Sequence, residues 1–396
     1  MVPEPVRRVL YHHRTQGRGV EAVHIRGVVD ALRARGIDVD VLSLPNADPY
    51  EERQPDAVGP RNPWKRLGSS LPEPVFELLE LAFNVVSLWR IARCLRRRPD
   101  VDFIYERYSL FLFSTVLYAR WRSIPIIIEI NDSAAVPRVR KLFFKRLSKE
   151  IEAWVFRRAN GIIFVSNEFR ERCTRLHGAT APAIVSHNAA NIEAFSCSPA
   201  QRALVRAKFG LGDSLVCGYL GAFVVWHQID EFVRQLADQL ERTPDLKLFL
   251  IGDGVTYGKV REFVAGRALQ SRVVMTGRVP HHEVAGLLGA IDFAVLPDAG
   301  DYTSPVKLFE FMAAGVPALA PDYPPIREVL TEGVTGWFFP ARDIAAAVEK
   351  VVALSGDVAT LRQVGAQARD YIARERQWCN NVAQLLDLYH RVSLTC

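Results

Sequence analysis

Apolar positions along this chain alternate between two patterns. Short, almost unbroken apolar runs occur at 6–13 (VRRVLYHH), 37–44 (IDVDVLSL), 101–106 (VDFIYE), 124–130 (IPIIIEI) and 161–166 (GIIFVS), and each reads as a strand. Between the first two lies VEAVHIRGVVDALRAR, whose apolar residues recur every three to four positions, an amphipathic helix that Gly36 ends. Strands that are apolar on both faces and separated by helices imply a parallel sheet covered on both sides. The pattern lapses over 187–213, where HNAANIEAFSCSPA and a short polar helix read as a linker. It resumes with LVCGYLGAF, LKLFLIGDG, RVVMTGRV, FAVLP, VPALAP and GWFFP, and closes on a separate amphipathic helix, QWCNNVAQLLDLYHRV. The expected fold is therefore α/β, two doubly wound Rossmann-like domains whose strand carboxyl ends face one another across a cleft.

Composition narrows the class. A chain of 396 residues exceeds one hydrophobic core and fits two or three domains. Its 49% apolar and 24% charged content is that of a soluble globular protein, not a disordered one. The six cysteines are scattered, with no C-x-x-C pair and no Cys/His cluster at zinc spacing, and read as reduced thiols of a cytoplasmic protein. The N-terminus MVPEPVRRVLYHH lacks a signal-peptide pattern, and the apolar helix VFELLELAFNVVSLW, carrying Glu77 and Glu80, is too short to span a bilayer. Charge is uneven. Residues 1–200 hold 30 Lys and Arg against 22 Asp and Glu, the remainder 20 against 22, so affinity for an anionic partner belongs to the N-terminal half.

The stretch SPVKLFEFMAAGVPALAPDYPPIREVL, 304–330, carries the clearest chemistry. After strand FAVLP, ending at Pro297, Ser304 reads as N-cap and Pro305 as the first helical residue. The N–H groups of Val306 and Lys307 then lack intrahelical partners. A lysine at a helix start opposes the helix dipole, and cannot complete the capping box that a glutamate would. Both conflicts vanish if an anion such as phosphate sits there, held by the free N–H groups and Lys307. Glu310, one turn on, is placed to accept hydrogen bonds from ribose hydroxyls, the alternative being an i,i+3 salt bridge with Lys307.

SPVKLFEFMAAGVPALA and IREVLTEGVTGWFFPARD resemble the C-terminal signature of glycosyltransferase family 4. GYLGAFVVWHQIDEFV, LFLIGDG, VVMTGRVPHHEVAGLLGAIDFAVLP, FVSNEFRE and SHNAANIEAF resemble further family segments in the family's order. The resemblance implies the two-domain GT-B fold, retention of anomeric configuration and a nucleoside diphosphate sugar as co-substrate, uracil being the base expected. The domain limits expected are 1–195 on the acceptor side and 196–375 for the nucleotide sugar, with 376–396 a helix crossing back to the first domain. No bound cofactor and no metal are required by this reading. The donor-binding set is Gly17, Gly19, Gly221, Gly252, Arg278, Val279, Ser304, Pro305, Val306 and Glu310, and the catalytic set His227, Lys307, Asp301 and Asn131.

The sequence departs from the family at several of these positions. The family often shows two glutamates separated by seven residues; Glu310 matches the second, while the first falls on Tyr302 with Asp301 one place earlier. Either Asp301 takes the donor-sugar contact or loop amides do. Phe223 and His227 stand where the family places an arginine and a lysine on the donor phosphates, which makes His227 a candidate phosphate or leaving-group contact. A first-domain histidine of the family is Asn131 here, so acid–base chemistry is not carried over to it.

Three other features are more ambiguous. The string Gly17-x-Gly19-x-x-Ala22 matches a dinucleotide fingerprint, but Arg14, Thr15 and Gln16 separate it from the strand and VLSLP ends the second strand without an acid. It reads better as a glycine loop approaching donor phosphates or acceptor, with His12, His13, Arg14 and His24 near its mouth. The triplets Asp38–Asp40 and Asp100–Asp102 invite a metal reading, yet both open expected strands and fit solvated strand edges. From Arg138 to Lys149 six basic residues occur with no acid between them, beside the apolar Leu142, Phe143, Phe144 and Leu147. That segment fits contact with an anionic membrane, at the inner face of which the protein would be peripheral, or with a lipid-linked acceptor, or a basic helix packed on the core. Nothing resembles a nucleic-acid module. The function expected is sugar transfer from a nucleoside diphosphate sugar to a hydroxyl acceptor; the alternatives are a GT-B sugar-nucleotide epimerase and an NAD-dependent oxidoreductase.

Overall fold

The structure is a computed structural model that describes residues 5–17, 19–51, 71–138 and 140–394. It resolves into two compact units, Met1–His187 with Asn381–Cys396, and Asn188–Asn380.

The first unit is built on six parallel strands, β1 (Arg8–His13), β2 (Asp38–Leu42), β3 (Phe103–Arg107), β4 (Ile126–Ile130), β5 (Gly161–Phe164) and β6 (Ala183–Val185), in the order β2-β1-β3-β4-β5-β6. Its helices are α1 (Val20–Ala34), α2 (Glu73–Arg97), α3 (Ser114–Arg122), α4 (Lys145–Arg158) and α5 (Asn167–His177). Register places His12 opposite Glu106 and Arg107 opposite Glu129. β1, β3, β4 and β5 are buried along almost their whole length, which is why their sequences do not alternate. The chain's last helix packs here: Tyr389 stacks on Phe103 with ring centroids 4.5 Å apart, and the Asn381 amide donates to the His187 carbonyl.

The second unit repeats the design with β7 (Leu215–Leu220), β8 (Leu246–Ile251), β9 (Val273–Met275), β10 (Phe293–Val295), β11 (Ala318–Pro321) and β12 (Gly336–Phe339), all parallel, in the order β12-β11-β10-β7-β8-β9. Its helices are α6 (Pro199–Lys208), α7 (Ile229–Arg242), α8 (Tyr257–Gly266), α9 (His281–Leu288), α10 (Val306–Ala313), α11 (Pro324–Arg327), α12 (Ile344–Leu354) and α13 (Val358–Glu375), and α14 (Trp378–Ser393) leads back into the first unit. Side chains alternate between two apolar layers. Phe249 and Ile251 join Leu288, Phe309 and Met312 on one face, while Leu248 and Leu250 join Phe232, Leu236 and Val351 on the other.

Several boundaries differ from those expected. The first unit ends at His187, not 195, because residues 188–195 are tied to the second: the Ala190 N–H donates to the Arg376 carbonyl and Phe195 lies in its core. The strand expected to reach Pro297 ends at Val295. Asp100 and Asp102 precede β3 instead of opening it. A sixth strand of the first sheet, β6, lay within sequence too weakly apolar to announce it.

Candidate active site

In the second unit the ends of β7, β8 and β9 run into Gly221, Gly252 and Gly277. Gly252, at φ 132°, passes so close to β7 that a Cβ would lie 2.0 Å from the Gly221 carbonyl oxygen. A Cβ on Gly221, at φ 147°, would lie 2.7 Å from Lys307 Nζ. The missing side chains thus leave room for an ammonium against bare backbone.

Lys307 comes from α10. This helix starts at Val306 with Pro305 as its cap residue, and no side chain caps it. Ser304, expected as the cap, instead accepts the Asn188 N–H on its hydroxyl at 3.1 Å, and its carbonyl accepts the Asn188 side-chain amide. That engagement pulls Ser304 out of capping position and makes Lys307 the second helical residue. The N–H groups of Val306 and Lys307 remain without backbone acceptors among the described residues.

The Lys307 ammonium lies over the Tyr219 ring, 5.1 Å from its centroid, and among the described residues no carboxylate pairs with it within 4 Å. Burial pushes its pKa down to about 8, against the opposing pull of Glu310. The i,i+3 bridge to Glu310 does not form: the buried Glu310 carboxylate meets His281 Nε2 at 2.9 Å. His281, which opens α9, carries no signal in the sequence, since 29 residues separate it from its partner.

His227 sits in a 3-10 turn, Val225–His227, closed by left-handed Gln228. Its Nδ1 lies 2.8 Å from the Ala222 carbonyl, which can only accept, so Nδ1 carries the proton and Nε2 a lone pair. The Tyr219 hydroxyl donates to the same carbonyl at 2.9 Å. Burial first, and Lys307 second, hold the imidazole neutral, with a pKa lowered to about 4. An uncharged imidazole is a weaker phosphate ligand than the lysine it replaces in the resemblance. Asp298, buried, fixes the adjoining loop by accepting from Gln228 at 2.7 Å, Tyr323 at 2.9 Å and the Ala299 N–H at 2.8 Å. Asp301 stands half-buried on that loop, 4.0 Å from the Arg342 guanidinium. Arg278 is exposed just after Gly277, and Val279 packs on the core.

The first unit's candidates are differently occupied. Gly17 presses on the Ala47 carbonyl, where a Cβ would come within 1.8 Å, while Gly19 begins α1 with open space beside it. His12 is buried with Nδ1 2.6 Å from Glu106 Oε2. His24 Nε2 lies 3.2 Å from Glu129 Oε1, and its Nδ1 is 3.0 Å from the Arg107 guanidinium, which donates to it. Glu129 also accepts from Arg107 at 3.1 Å, from the Tyr105 hydroxyl and from the Asn131 amide. Those donors hold its carboxyl below the usual range against burial, which pushes the other way. His13 is buried and lowered to about 4, mainly by desolvation, and Arg14 pairs with Glu80 at 3.4 Å.

The two aspartate pairs are taken up by the chain itself. Asp38 and Asp100 flank the Arg8 guanidinium, and Asp102 accepts the N–H groups of Arg7 and Arg8 at 2.7 and 2.8 Å. Among the described residues no group of three or more His, Cys, Asp or Glu is arranged to hold a metal ion. In the 138–149 segment, of which Val139 lies outside the described residues, Arg138 grips Asp132 with both arms and Arg140 lies 4.2 Å from the Phe76 ring centroid, whereas Lys141, Lys145, Arg146 and Lys149 are exposed.

Comparison with known proteins accounts for both units. The family described as Glycosyltransferase Family 4 matches residues 19–194, and that described as Glycosyl transferases group 1 matches 214–357. The chain is a glycosyltransferase that joins a Glycosyltransferase Family 4 domain to a Glycosyl transferases group 1 domain. Among its relatives, the α-D-kanosaminyltransferase of Streptomyces kanamyceticus is 24% identical over 352 residues, covering 83% of this chain and 89% of that one. The phosphatidyl-myo-inositol mannosyltransferase of Mycobacterium leprae is 27% identical over 384 residues, covering 95% and 93%. The crystal structure of Anabaena HepE in complex with UDP superposes with a TM-score of 0.71 at 15% identity, over 96% of this glycosyltransferase and 98% of that chain. The fold is thus of the GT-B type, and the enzyme is a glycosyltransferase. No helix among its described residues is long and apolar enough to cross a membrane.

Proposed function

We propose that this glycosyltransferase moves a sugar, with retention of configuration, from a nucleoside diphosphate sugar, UDP being the expected nucleotide, to a hydroxyl of a glycan, glycolipid or small-molecule glycoside. The observation that carries the proposal is the Lys307 ammonium, lying against Gly221 at the uncapped start of α10 without an ion-pair partner among the described residues. The UDP bound in the HepE crystals supports the choice of nucleotide.

As the bond from the sugar's anomeric carbon to the diphosphate breaks, its electron pair goes to the leaving β-phosphate. Lys307 and the Val306 and Lys307 N–H groups meet that growing charge, and they are fixed before it appears. The acceptor oxygen bonds to the anomeric carbon and its proton passes to the departing phosphate, so no protein base is needed. Glu310, oriented by His281, takes the ribose hydroxyls. Asp301 or its loop amides contact the donor sugar, and His227 offers its Nε2 lone pair to a hydroxyl. Arg278, Val279 and Gly252 line the nucleotide, while Gly17, Gly19 and Asn131 are the first unit's contribution to substrate contact. Turnover without a metal belongs to the same proposal.

The test is thermal unfolding with UDP, GDP, ADP, dTDP and NAD, each in EDTA. A ligand at about a hundred times its Kd adds roughly 2.7 kcal/mol to what it binds. UDP is expected to raise the melting temperature, and Lys307→Ala to remove most of the rise. A rise with NAD alone would sink the proposal.

A further inference from the structure

We propose that the outer face of α2 docks this protein on an anionic lipid bilayer. The inference is independent of the transfer reaction and rests on a helix that is built inside out. From residue 75 to 89 its buried positions are Glu77, Asn84 and Ser87, the apolar Ile91 and Leu95 being buried only in the later turns, and its exposed ones are Val75, Leu78, Leu79, Val85, Val86 and Trp89. Val85 is 73% exposed and Trp89 58%. A surface helix ordinarily shows the reverse.

The inversion is fixed by hydrogen bonds. Glu77 accepts the N–H groups of Phe143 and Phe144 at 2.6 and 2.8 Å. Asn84 Oδ1 accepts those of Phe113 and Ser114, both at 3.0 Å, and its amide donates to the Phe111 carbonyl at 2.8 Å. Rolling the helix to hide its apolar side would strand all of these groups. With the exposed Ala82 between them, the apolar residues recur at three- and four-residue spacing from 75 to 89, a ridge about 20 Å long at about 1.5 Å per residue. Leu117 and Trp121 of α3, the helix whose start Asn84 caps, are exposed as well. An exposed apolar ridge of this length marks an interaction site.

Charge selects the occupant. Past Trp89, Arg90, Arg93, Arg97 and Arg98 line an open groove of about 510 Å³, with Arg93 5.5 Å from the Trp89 ring centroid. Asp40 is the groove's one acid and lies 3.7 Å from Arg98. At the other end, beside Phe143 on the segment that Glu77 anchors, Lys141, Lys145 and Arg146 are exposed. Cations at both ends set like charge against like charge if a second copy docks on this face. A bilayer with phosphate headgroups satisfies both ends: acyl chains cover the ridge and phosphates meet the arginines and lysines.

The experiment is co-sedimentation of the full chain with vesicles of phosphatidylcholine, with and without phosphatidylglycerol as about a third of the lipid. Wild type is expected to bind the anionic vesicles at least about tenfold better, and less well as salt rises. Each of Arg93→Glu and Arg97→Glu should weaken binding about fivefold or more. The Val85→Glu, Trp89→Glu double variant should weaken it about tenfold or more while keeping the wild-type melting temperature, since both side chains are already in water. Binding that ignores phosphatidylglycerol, that survives the double variant, or that is missing in wild type overturns the proposal. So does a dimer, seen by analytical ultracentrifugation, that the double variant dissociates.

Discussion

The two units carry the same kind of sheet and treat charge at its strand ends in opposite ways. In the first, register sets a basic side chain beside an acid: His12 beside Glu106, and Arg107 beside Glu129, where His24 and Asn131 also converge. In the second, three strands lead into glycines just past their ends, and the ammonium lying against Gly221 has no carboxylate partner among the described residues. A paired buried charge is complete without a ligand, whereas an unpaired one is costly until an anion arrives. Density of charged groups is therefore a poor guide to a binding site in this molecule. The missing internal partner is the better one.

Removing one charge from each unit should break the symmetry most sharply. Glu129→Ala leaves Arg107 and His24 buried without their acceptor and is expected to cost about 3–5 kcal/mol in urea unfolding. Lys307→Met deletes a desolvated ammonium that no carboxylate among the described residues pairs with, so stability should hold or rise while kcat/KM falls about 10²–10³-fold. A Lys307→Met variant as destabilised as Glu129→Ala would show that the two charges have the same structural role.

Gly252→Ala probes how the second unit keeps its strand ends close. A Cβ 2.0 Å from the Gly221 carbonyl forces backbone apart, which should cost about 1–3 kcal/mol and weaken UDP binding by shifting Gly221 from under Lys307. Gly258→Ala, where a Cβ meets nothing within 4 Å, is the control and should be neutral or slightly stabilising. Glu310→Ala should raise the donor KM about tenfold with kcat nearly kept, and His281→Ala, which removes only the group that orients the carboxylate, about fivefold or less. Equal effects on kcat from both would move Glu310 from ribose binding to the reacting centre.

How far these features could be read from sequence depends on whether their cause is local. The strands were legible because runs such as IPIIIEI stay apolar without interruption, and Lys307 because a cation at a helix start is anomalous without any knowledge of neighbours. Ser304 misled for the opposite reason: as a cap it is a local inference, but its hydroxyl answers to Asn188, 116 residues earlier. His281 and the donors around Glu129 were hidden by the same distance. In α2 the polar stripe Glu77, Glu80, Asn84 and Ser87 is plain in the sequence, yet periodicity defines a stripe and not which side of the helix meets water.

The smallest effect is also the most specific to the unpaired lysine. With its pKa lowered from the usual 10.5 to about 8, Lys307 binds fewer protons folded than unfolded between those two pH values. Stability of the free protein should therefore rise with pH across that window, and Lys307→Met should flatten the slope. Binding runs the other way, because the diphosphate favours the ammonium and raises its pKa again. UDP binding should then take up protons at pH 9, read by calorimetry in two buffers of different ionisation enthalpy. His227, neutral down to a pKa of about 4, and the nucleotide's phosphates, fully ionised, add nothing to uptake at pH 9, so that uptake belongs to Lys307 and should vanish in Lys307→Met. Uptake that persists in that variant would mean that another group meets the diphosphate.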